Sequence, residues 1–396
     1  MKILEGEYRS VMSFLPGPKL VFGMDSYKTL ADETKKLNQN KESCRVLLIT
    51  DDGVFKSGIV DILKNHLTEN KVDVEIFHNL SAEPTLETVE EAVAFSNIKN
   101  FDVLLGVGGG SAMDTAKVIS VAKTHGGKIE KYLGGFKFTN GRCPLILIPT
   151  TAGTGSEVTG DAVFSVKAQK RWISDPLLVA DIALIDPMLT VTMPPRITAS
   201  TGLDVLCHAI EGIMTTYSNS IMEMYAGKAV ELTMLNLERA YICGKDIEAR
   251  YNMMIAAMMA GIVNLNAPAT YPHSIGYTVA NRFKVPHGLS CAIGLPYMMQ
   301  YNLPKCETQF AKMTEMIYPD FEGTKKEKAQ YLVDRIFEIV KTVNAPSTLK
   351  EVGVTEDMLD MLAEECFVKF PRSYNICDIN QDGVKKLYQQ ICNGSR

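Results

Sequence analysis

The stretch that decides the fold is "VLLGVGGGSAMDTAK", residues 103–117. An apolar run ends in a glycine cluster, and a helix-forming segment follows at once. Gly108, Gly109 and Gly110 let backbone N–H groups approach an anion closely, and Ser111 is placed to cap the helix. The helix dipole then favours a phosphate there. The cluster does not match the G-x-G-x-x-G fingerprint, and a tight strand-to-helix turn also accounts for it.

Working outward, "RVLLIT" (45–50), "VDVEIF" (72–77) and "PLILIPT" (144–150) read as further strands. "FKSGIVDILKNHL" (55–67) and "TLETVEEAVAFSNIKN" (85–100) read as helices between them. Such interleaving predicts βαβ units and a mostly parallel sheet covered on both faces. Around "DPMLTVTMPPRIT" (186–198) the texture changes to long helical patterns at 197–213, 219–242 and 246–264, with several more after 304. The expectation is an α/β dinucleotide-binding domain over 1–190 and an all-α domain over 191–396, with a cleft between them and the Pro-Pro segment as hinge.

A second loop, "PTTAGTGSEVTG" (149–160), again follows a strand. Thr150, Thr151, Thr154 and Ser156 crowd more hydroxyl donors there than a structural turn needs, as a polar cofactor does. Asp51 directly follows "RVLLIT". Either it accepts hydrogen bonds from both ribose hydroxyls of adenosine, favouring NAD over NADP, or it belongs to a surface turn.

"TGLDVLCHAIEG" (201–212) places Asp204 and His208 one turn apart on one helix face. The surroundings are apolar, and a buried carboxylate is costly unless paired or metal-bound. Either the Asp orients the His, or both are ligands. His273 and His287 in "YPHSIGYTVANRFKVPHG" (271–288) would complete an N₃O set for one divalent metal such as Fe²⁺ or Zn²⁺. Spacing alone does not show that the four converge. The other three histidines, His66, His78 and His125, fall in polar or loop contexts and read as surface residues.

Together "GGGSAMDTAK", "PTTAGTGSEV", "DPMLTVTMPPRITASTGLDVLCHAIE" and "PHGLSCAIGLP" resemble the iron-containing (group III, metal-dependent) alcohol dehydrogenase family. The resemblance runs through most of residues 10–305 and thins toward the C-terminus. It implies that Asp204, His208, His273 and His287 are the metal ligands. Gly109, Gly110 and Ser111, with Asp114 nearby, match the pyrophosphate loop, and Thr150, Thr151 and Thr154 the second cofactor motif. Lys170 of "KRWISDP" matches a lysine near the nicotinamide ribose. The implied reaction is hydride transfer between NAD(H) and a small alcohol/aldehyde pair. The implied assembly is a homodimer pairing through an N-terminal strand, here "SVMSFLPG" (10–17).

One departure stands out. Many members of this family carry a second histidine four residues after the third ligand, credited with proton relay; here that position is Tyr277. Its phenol either donates a proton or shapes the pocket. Arg282, five residues on, is either a surface arginine or the anchor of an anionic tail, which would make the chain a reductase of sulfo- or phosphonoacetaldehyde type. Readings of another class are a lyase resembling dehydroquinate synthase and an NAD-binding sensor without chemistry. "DINQDG" (378–383) copies the start of an EF-hand loop but has Gln389 at its twelfth position; capping by Asp382 or a simple turn is expected instead.

Composition bounds the rest. Over 396 residues, 46% hydrophobic and 22% charged content with a net charge of −5 suits a soluble globular protein. With no basic run, it argues against nucleic acid as partner. No apolar run approaches the roughly 20 residues of a membrane helix. Nine cysteines without a C-x-x-C pair, behind an N-terminus lacking a signal core, suit reduced thiols in the cytoplasm.

Overall fold

The computed structural model describes residues 13–81, 84–134, 138–166 and 169–395. Strand β1 (Lys19–Phe22) and helix α1 (Leu30–Leu37) lead into β2 (Arg45–Asp51), helices α2 (Asp52–Lys56) and α3 (Ile59–Glu69), β3 (Asp73–Leu80) and α4 (Leu86–Ser96). Next come β4 (Val103–Gly108), α5 (Gly110–His125), β5 (Leu145–Pro149), β6 (Asp161–Val166), β7 (Gln169–Ser174) and β8 (Ile182–Ile185). Six strands form one parallel sheet in the order β1-β8-β5-β4-β2-β3, as the alternation of strands and helices requires. Covering helices on both faces explain why β4 and β5 are unbroken apolar runs, buried at every position.

The order reverses between β2 and β4: β3 lies outside β2, while β5 follows on the far side of β4. Ligands of open α/β sheets bind beyond the carboxyl ends of the strands at such a reversal. Asp51 and Gly108 are the residues that end these two strands.

An all-helical unit follows: α6 (Pro195–Glu211), α7 (Ser220–Ile242), α8 (Ile247–Asn266), α9 (Tyr271–Phe283), α10 (His287–Ile317), α11 (Lys325–Thr342), α12 (Leu359–Lys369) and α13 (Gln381–Asn393). Its main core cluster includes Ala152, Val158, Ala183 and Ile185 of the α/β unit, so the two layers share apolar packing. The tightest approach is at Gly155, in the left-handed region at φ +63°, where an added Cβ would stand 2.4 Å from Gly261 Cα on α8. Only glycine fits there, and the second cofactor loop is thereby seated on the helical unit.

Several expectations change. The helix read over 55–67 is two helices, split at Gly58, whose φ of +84° no helix accepts. Helices were expected to resume after 304, but α10 begins at His287 and runs through Pro296 and Pro304. The antiparallel hairpin β6–β7 carries no alternation strong enough to have been anticipated. Of the stretch 10–17, residues 10–12 lie outside the described residues and 13–17 form no strand; the Leu15 backbone instead pairs with the Asn266 side chain at 2.7 and 3.0 Å. The EF-hand-like stretch caps α13 through Asn380, which accepts from the Gly383 amide at 2.9 Å, in place of Asp382. Among the described residues no single helix is long and apolar enough to cross a membrane.

Candidate metal centre and dinucleotide cleft

One cavity of about 1590 Å³ runs from the carboxyl ends of β2 and β4 to the helices α6, α9 and α10. At the sheet end, α5 starts at Gly110 with Gly109 in the N-cap position, so Ser111 lies inside the first turn and is not the cap. Gly108 takes φ +148°; a Cβ there would meet Asp51 Oδ2 at 3.2 Å and Ala112 at 2.9 Å. Added Cβ atoms on Gly109 and Gly110 would face Thr151 at 3.6 Å and Thr154 at 3.2 Å. The two loops are therefore opposite walls of one cradle, with helix-end N–H groups pointing into it. The Thr150 amide ties the loops together by donating to the Gly108 carbonyl at 3.0 Å.

Asp51 is half-buried beside this cradle. Its Oδ1 caps α2 by accepting from the Val54 amide at 3.0 Å. Its Oδ2 faces Gly108, where a ribose hydroxyl would approach.

Asp114 and Ser156 line the cavity and also hold each other. Ser156 Oγ donates to Asp114 Oδ1 at 2.5 Å, and the Val163 amide donates to Oδ2 at 2.9 Å. The buried Lys117, one turn on, donates to Ser156 Oγ at 2.7 Å, to Thr159 Oγ1 at 3.2 Å and to the Asp161 carbonyl at 2.7 Å. Sequence reading missed Lys117. An ammonium enclosed this way pins α5, the second loop and the hairpin as one rigid wall. Lys170 and Trp172 reach the cavity from the same face of β7.

At the other end, α6 is buried on nearly every side and carries Asp204 and His208 on one face. Helix α9 starts behind Thr270, with Pro272 and His273 in its first turn. Lys284, left-handed at φ +52°, stops α9, and Pro286 opens α10 with His287 as first residue. This short break sets the two histidines side by side, their rings 5.2 Å apart.

Nε2 of His208 and Nε2 of His273 lie 3.1 Å apart, and Asp204 Oδ1 is 3.9 Å from Nε2 of both His273 and His287. Ligand atoms about 2.1 Å from one tetrahedral metal stand roughly 3.4 Å apart, so this spacing fits a shared ion. Asp204 Oδ1 is buried with no hydrogen-bond partner among the described residues, the orphaned acceptor that a cation would satisfy. Burial holds the imidazoles neutral, the form that ligates: His208 is pushed down to about 3, His273 and His287 to about 4.

Sequence reading missed two side chains here. Glu211, fully buried, accepts from His273 Nδ1–H at 2.6 Å through Oε1, and its Oε2 accepts from the Thr270 amide at 2.5 Å and hydroxyl at 3.2 Å. The face argument that singled out Asp204 and His208 extends to it, since it lies three residues beyond His208. Cys291, one turn after His287, places its sulfur 3.7 and 3.8 Å from that ring's nitrogens, and its ligand atom groups with those of Asp204, His273 and His287 within 4.8 Å. Burial raises the Cys291 thiol well above its ordinary range, which keeps it protonated, so His208 is the better fourth ligand.

Tyr277 lies within this group, stacked on His287 with ring centroids 5.7 Å apart. Arg282 does not: it is exposed and paired with Glu365 at 2.5 Å, away from the cavity. Its wall position is taken by Arg372, from a C-terminal segment whose sequence gave no metal- or cofactor-like signal. Of the remaining histidines, His78 is exposed, and His66 and His125 are half-buried; His125 Nε2 accepts the Thr139 and Asn140 amides at 2.9 and 3.0 Å.

A glycine cradle at a strand-order reversal, opening onto an N₃O cluster, is the setting of an enzyme that uses a dinucleotide and a divalent metal. The profile of "Iron-containing alcohol dehydrogenase" matches residues 17–187, and that of "Fe-containing alcohol dehydrogenase family, C-terminal" matches residues 198–392. Long-chain-alcohol dehydrogenase 1 of Geobacillus thermodenitrificans is 35% identical over 347 residues, 87% of either chain. Choline dehydrogenase of Bacillus subtilis is 35% identical over 378 residues, 94% of this chain and 92% of that one. The crystal structure of 1,3-propanediol oxidoreductase superposes with a TM-score of 0.91 at 28% identity, covering 96% of this chain and 100% of that one. The sulfoacetaldehyde reductase of Bifidobacterium kashiwanohense, solved in complex with NAD+, gives 0.87 at 25% identity, covering 96% and 99%. The chain belongs to the iron-containing alcohol dehydrogenase family.

Proposed function

We propose that the chain transfers a hydride between NAD(H) and a small alcohol/aldehyde pair, using one divalent metal held by Asp204, His208, His273 and His287. The observation that carries this reading is the convergence of those four side chains at one end of the cavity whose other end is the glycine and threonine cradle. When bound there, a divalent metal supplies Lewis acidity toward a carbonyl or alcohol oxygen. The residues do the rest. Gly108–Gly110 and the facing threonines anchor the dinucleotide, Asp51 Oδ2 receives the adenosine ribose, and Lys170 and Trp172 border the path toward the histidines. That alignment fixes the reacting carbon against the nicotinamide.

Burial pushes the Tyr277 phenol up to about 12, so its oxygen keeps its proton at working pH. Tyr277 therefore serves as a hydrogen-bond donor and a wall, not as a base. Lys284 lines the cavity and supports room for an anionic aldehyde, whereas Lys369 and Arg282 are both paired with Glu365. All nine cysteines are free, which supports a cytoplasmic setting. The outer edge of β1 supports pairing with a second copy.

The test is anaerobic purification, metal analysis and NADH oxidation with neutral and anionic small aldehydes. His273→Ala and His287→Ala should lose metal and turnover together; a fully active variant sinks the assignment. NAD binding without metal-dependent turnover would instead make the chain a sensor.

A further inference from the structure

We infer that Arg372 is a positioning residue for the histidine ligands, clamping the start of α9 from the C-terminal segment "KFPRSYN" (369–375) and not anchoring substrate. The inference rests on the metal reading above. Three contacts carry it. Arg372 Nε donates to Ser274 Oγ at 2.7 Å, and Ser274 directly follows His273; its hydroxyl in turn donates to the Phe370 carbonyl at 2.8 Å. Arg372 Nη1 donates to the Tyr374 hydroxyl at 2.6 Å, which donates to the Ala269 carbonyl at 3.1 Å. Ala269 precedes Thr270, the residue that holds Glu211 Oε2. Finally, the guanidinium stands 5.9 Å from the centroid of the Tyr277 ring, which is stacked on His287 and packed 5.2 Å from Phe370.

The segment is itself fixed, which is what a clamp needs. The Thr216 amide donates to the Tyr374 carbonyl at 2.8 Å, and the Ile376 amide donates to the Met214 carbonyl at 2.9 Å. The buried Asn375 exchanges side-chain hydrogen bonds with Asn302 of α10 at 3.0 and 3.1 Å. The loop that follows α6 and helices α9 and α10 are thus cross-tied by residues 370–376, which contain no ligand. A planar guanidinium with donors in fixed directions can serve the Ser274 and Tyr374 hydroxyls while lying over Tyr277; a lysine cannot do all three.

Apo-protein of the wild type, Arg372→Ala, Arg372→Lys and Tyr374→Phe is titrated with Co²⁺ against a competing chelator, and the visible absorption of the cobalt-loaded proteins is recorded. Arg372→Ala should weaken cobalt binding by about tenfold or more and alter the ligand-field bands, as loss of an outer support of a histidine ligand does. Arg372→Lys should recover part of both, and Tyr374→Phe, which removes one hydroxyl, should move both slightly in the same direction even if Arg372→Ala fails to fold. With aldehyde, kcat should fall while KM for NADH is unchanged. Wild-type cobalt affinity and spectrum in all three variants overturn the inference. So does an unchanged spectrum with activity lost only toward negatively charged aldehydes, which would make Arg372 a substrate anchor. A wild type that takes up no cobalt overturns the metal reading, and the inference with it.

Discussion

Replacing Glu211 by glutamine tests the metal centre through one proton. The carboxylate receives three hydrogen bonds and donates none: His273 Nδ1–H on one oxygen, the Thr270 amide and hydroxyl on the other. Receiving Nδ1–H fixes the tautomer in which Nε2 carries the lone pair, and Nε2 is the atom facing His208 and Asp204. A glutamine has one acceptor oxygen and one NH₂. If its oxygen stays with Thr270, the NH₂ faces Nδ1 and drives the imidazole proton to Nε2, where it blocks ligation. If its oxygen turns to His273, the NH₂ meets the Thr270 amide donor to donor. Glu211→Gln should therefore lower metal affinity by about 10- to 100-fold, the usual effect of losing such a partner. That is roughly 1.4–2.8 kcal/mol. The assay is metal titration of apo-protein against a chelator, with thermal melting of the apo form at pH 6, where the Glu211 carboxyl is mostly neutral, as control. Burial already raises Glu211 to about 7, so the ionised carboxylate is disfavoured in the metal-free fold, and a neutral amide should leave that fold standing. Unchanged metal affinity in a folded Glu211→Gln protein would refute the tautomer argument.

Three further outcomes follow from the geometry. Gly288→Ala places a Cβ 1.9 Å from the Ser200 carbonyl oxygen and 2.9 Å from Asp204 Cβ, so α10 must move off α6 and carry His287 away from Asp204. It should cost about 1–3 kcal/mol in denaturant unfolding and abolish metal retention; a stable, metal-replete variant contradicts the packing. Trp172 is the only tryptophan, 54% exposed on the cofactor side of the hairpin, so NADH should quench its emission and show sensitised nicotinamide fluorescence; no change on saturation removes it from the cofactor wall. The neutral state of the histidines gives a pH limit. Their values of about 3 and 4 lie below the free 6.5, so in Glu211→Gln, where the carboxyl raised to about 7 beside His273 is gone, metal retention against a chelator should hold as pH falls through 6.5 and fail only toward 4; half-loss near 6.5 in that variant means the histidines are open to water.

The sheet was legible because its signals are local. A buried parallel strand must be a short apolar run, and the turn after it must be glycine-rich where a backbone has to come close, as at Gly108. The split at Gly58 and the hairpin at 161–174 were less legible. The first depends on one left-handed residue inside an otherwise helical pattern, the second on a face turned to a cavity that the sequence does not display. Proline misled at α10, where Pro296 and Pro304 punctuate the chain but burial keeps the helix running through both.

The site divides along the same line. Asp204, His208 and Glu211 share a helix face, so periodicity reaches all three, but only the arrival of α9 sets Glu211 behind His273 as its support. His273 and His287 were visible as rare residues in an apolar setting, but the turn at Lys284 that sets them side by side is visible only as backbone. Arg282 and Arg372 make the contrast sharper. Proximity in sequence to Tyr277 favoured Arg282, and a helix makes that a poor guide. Residue 282 lies five positions on, about 500° around the axis, which turns it some 140° away from Tyr277. There it meets Glu365 and solvent. Arg372 is 95 positions downstream, and only the anchoring of 374–376 to residues 214, 216 and 302 brings it over the Tyr277 ring. Tyrosine at the position where histidine was expected is therefore compatible with the ligand geometry: its ring stacks on His287, and burial keeps the phenol protonated.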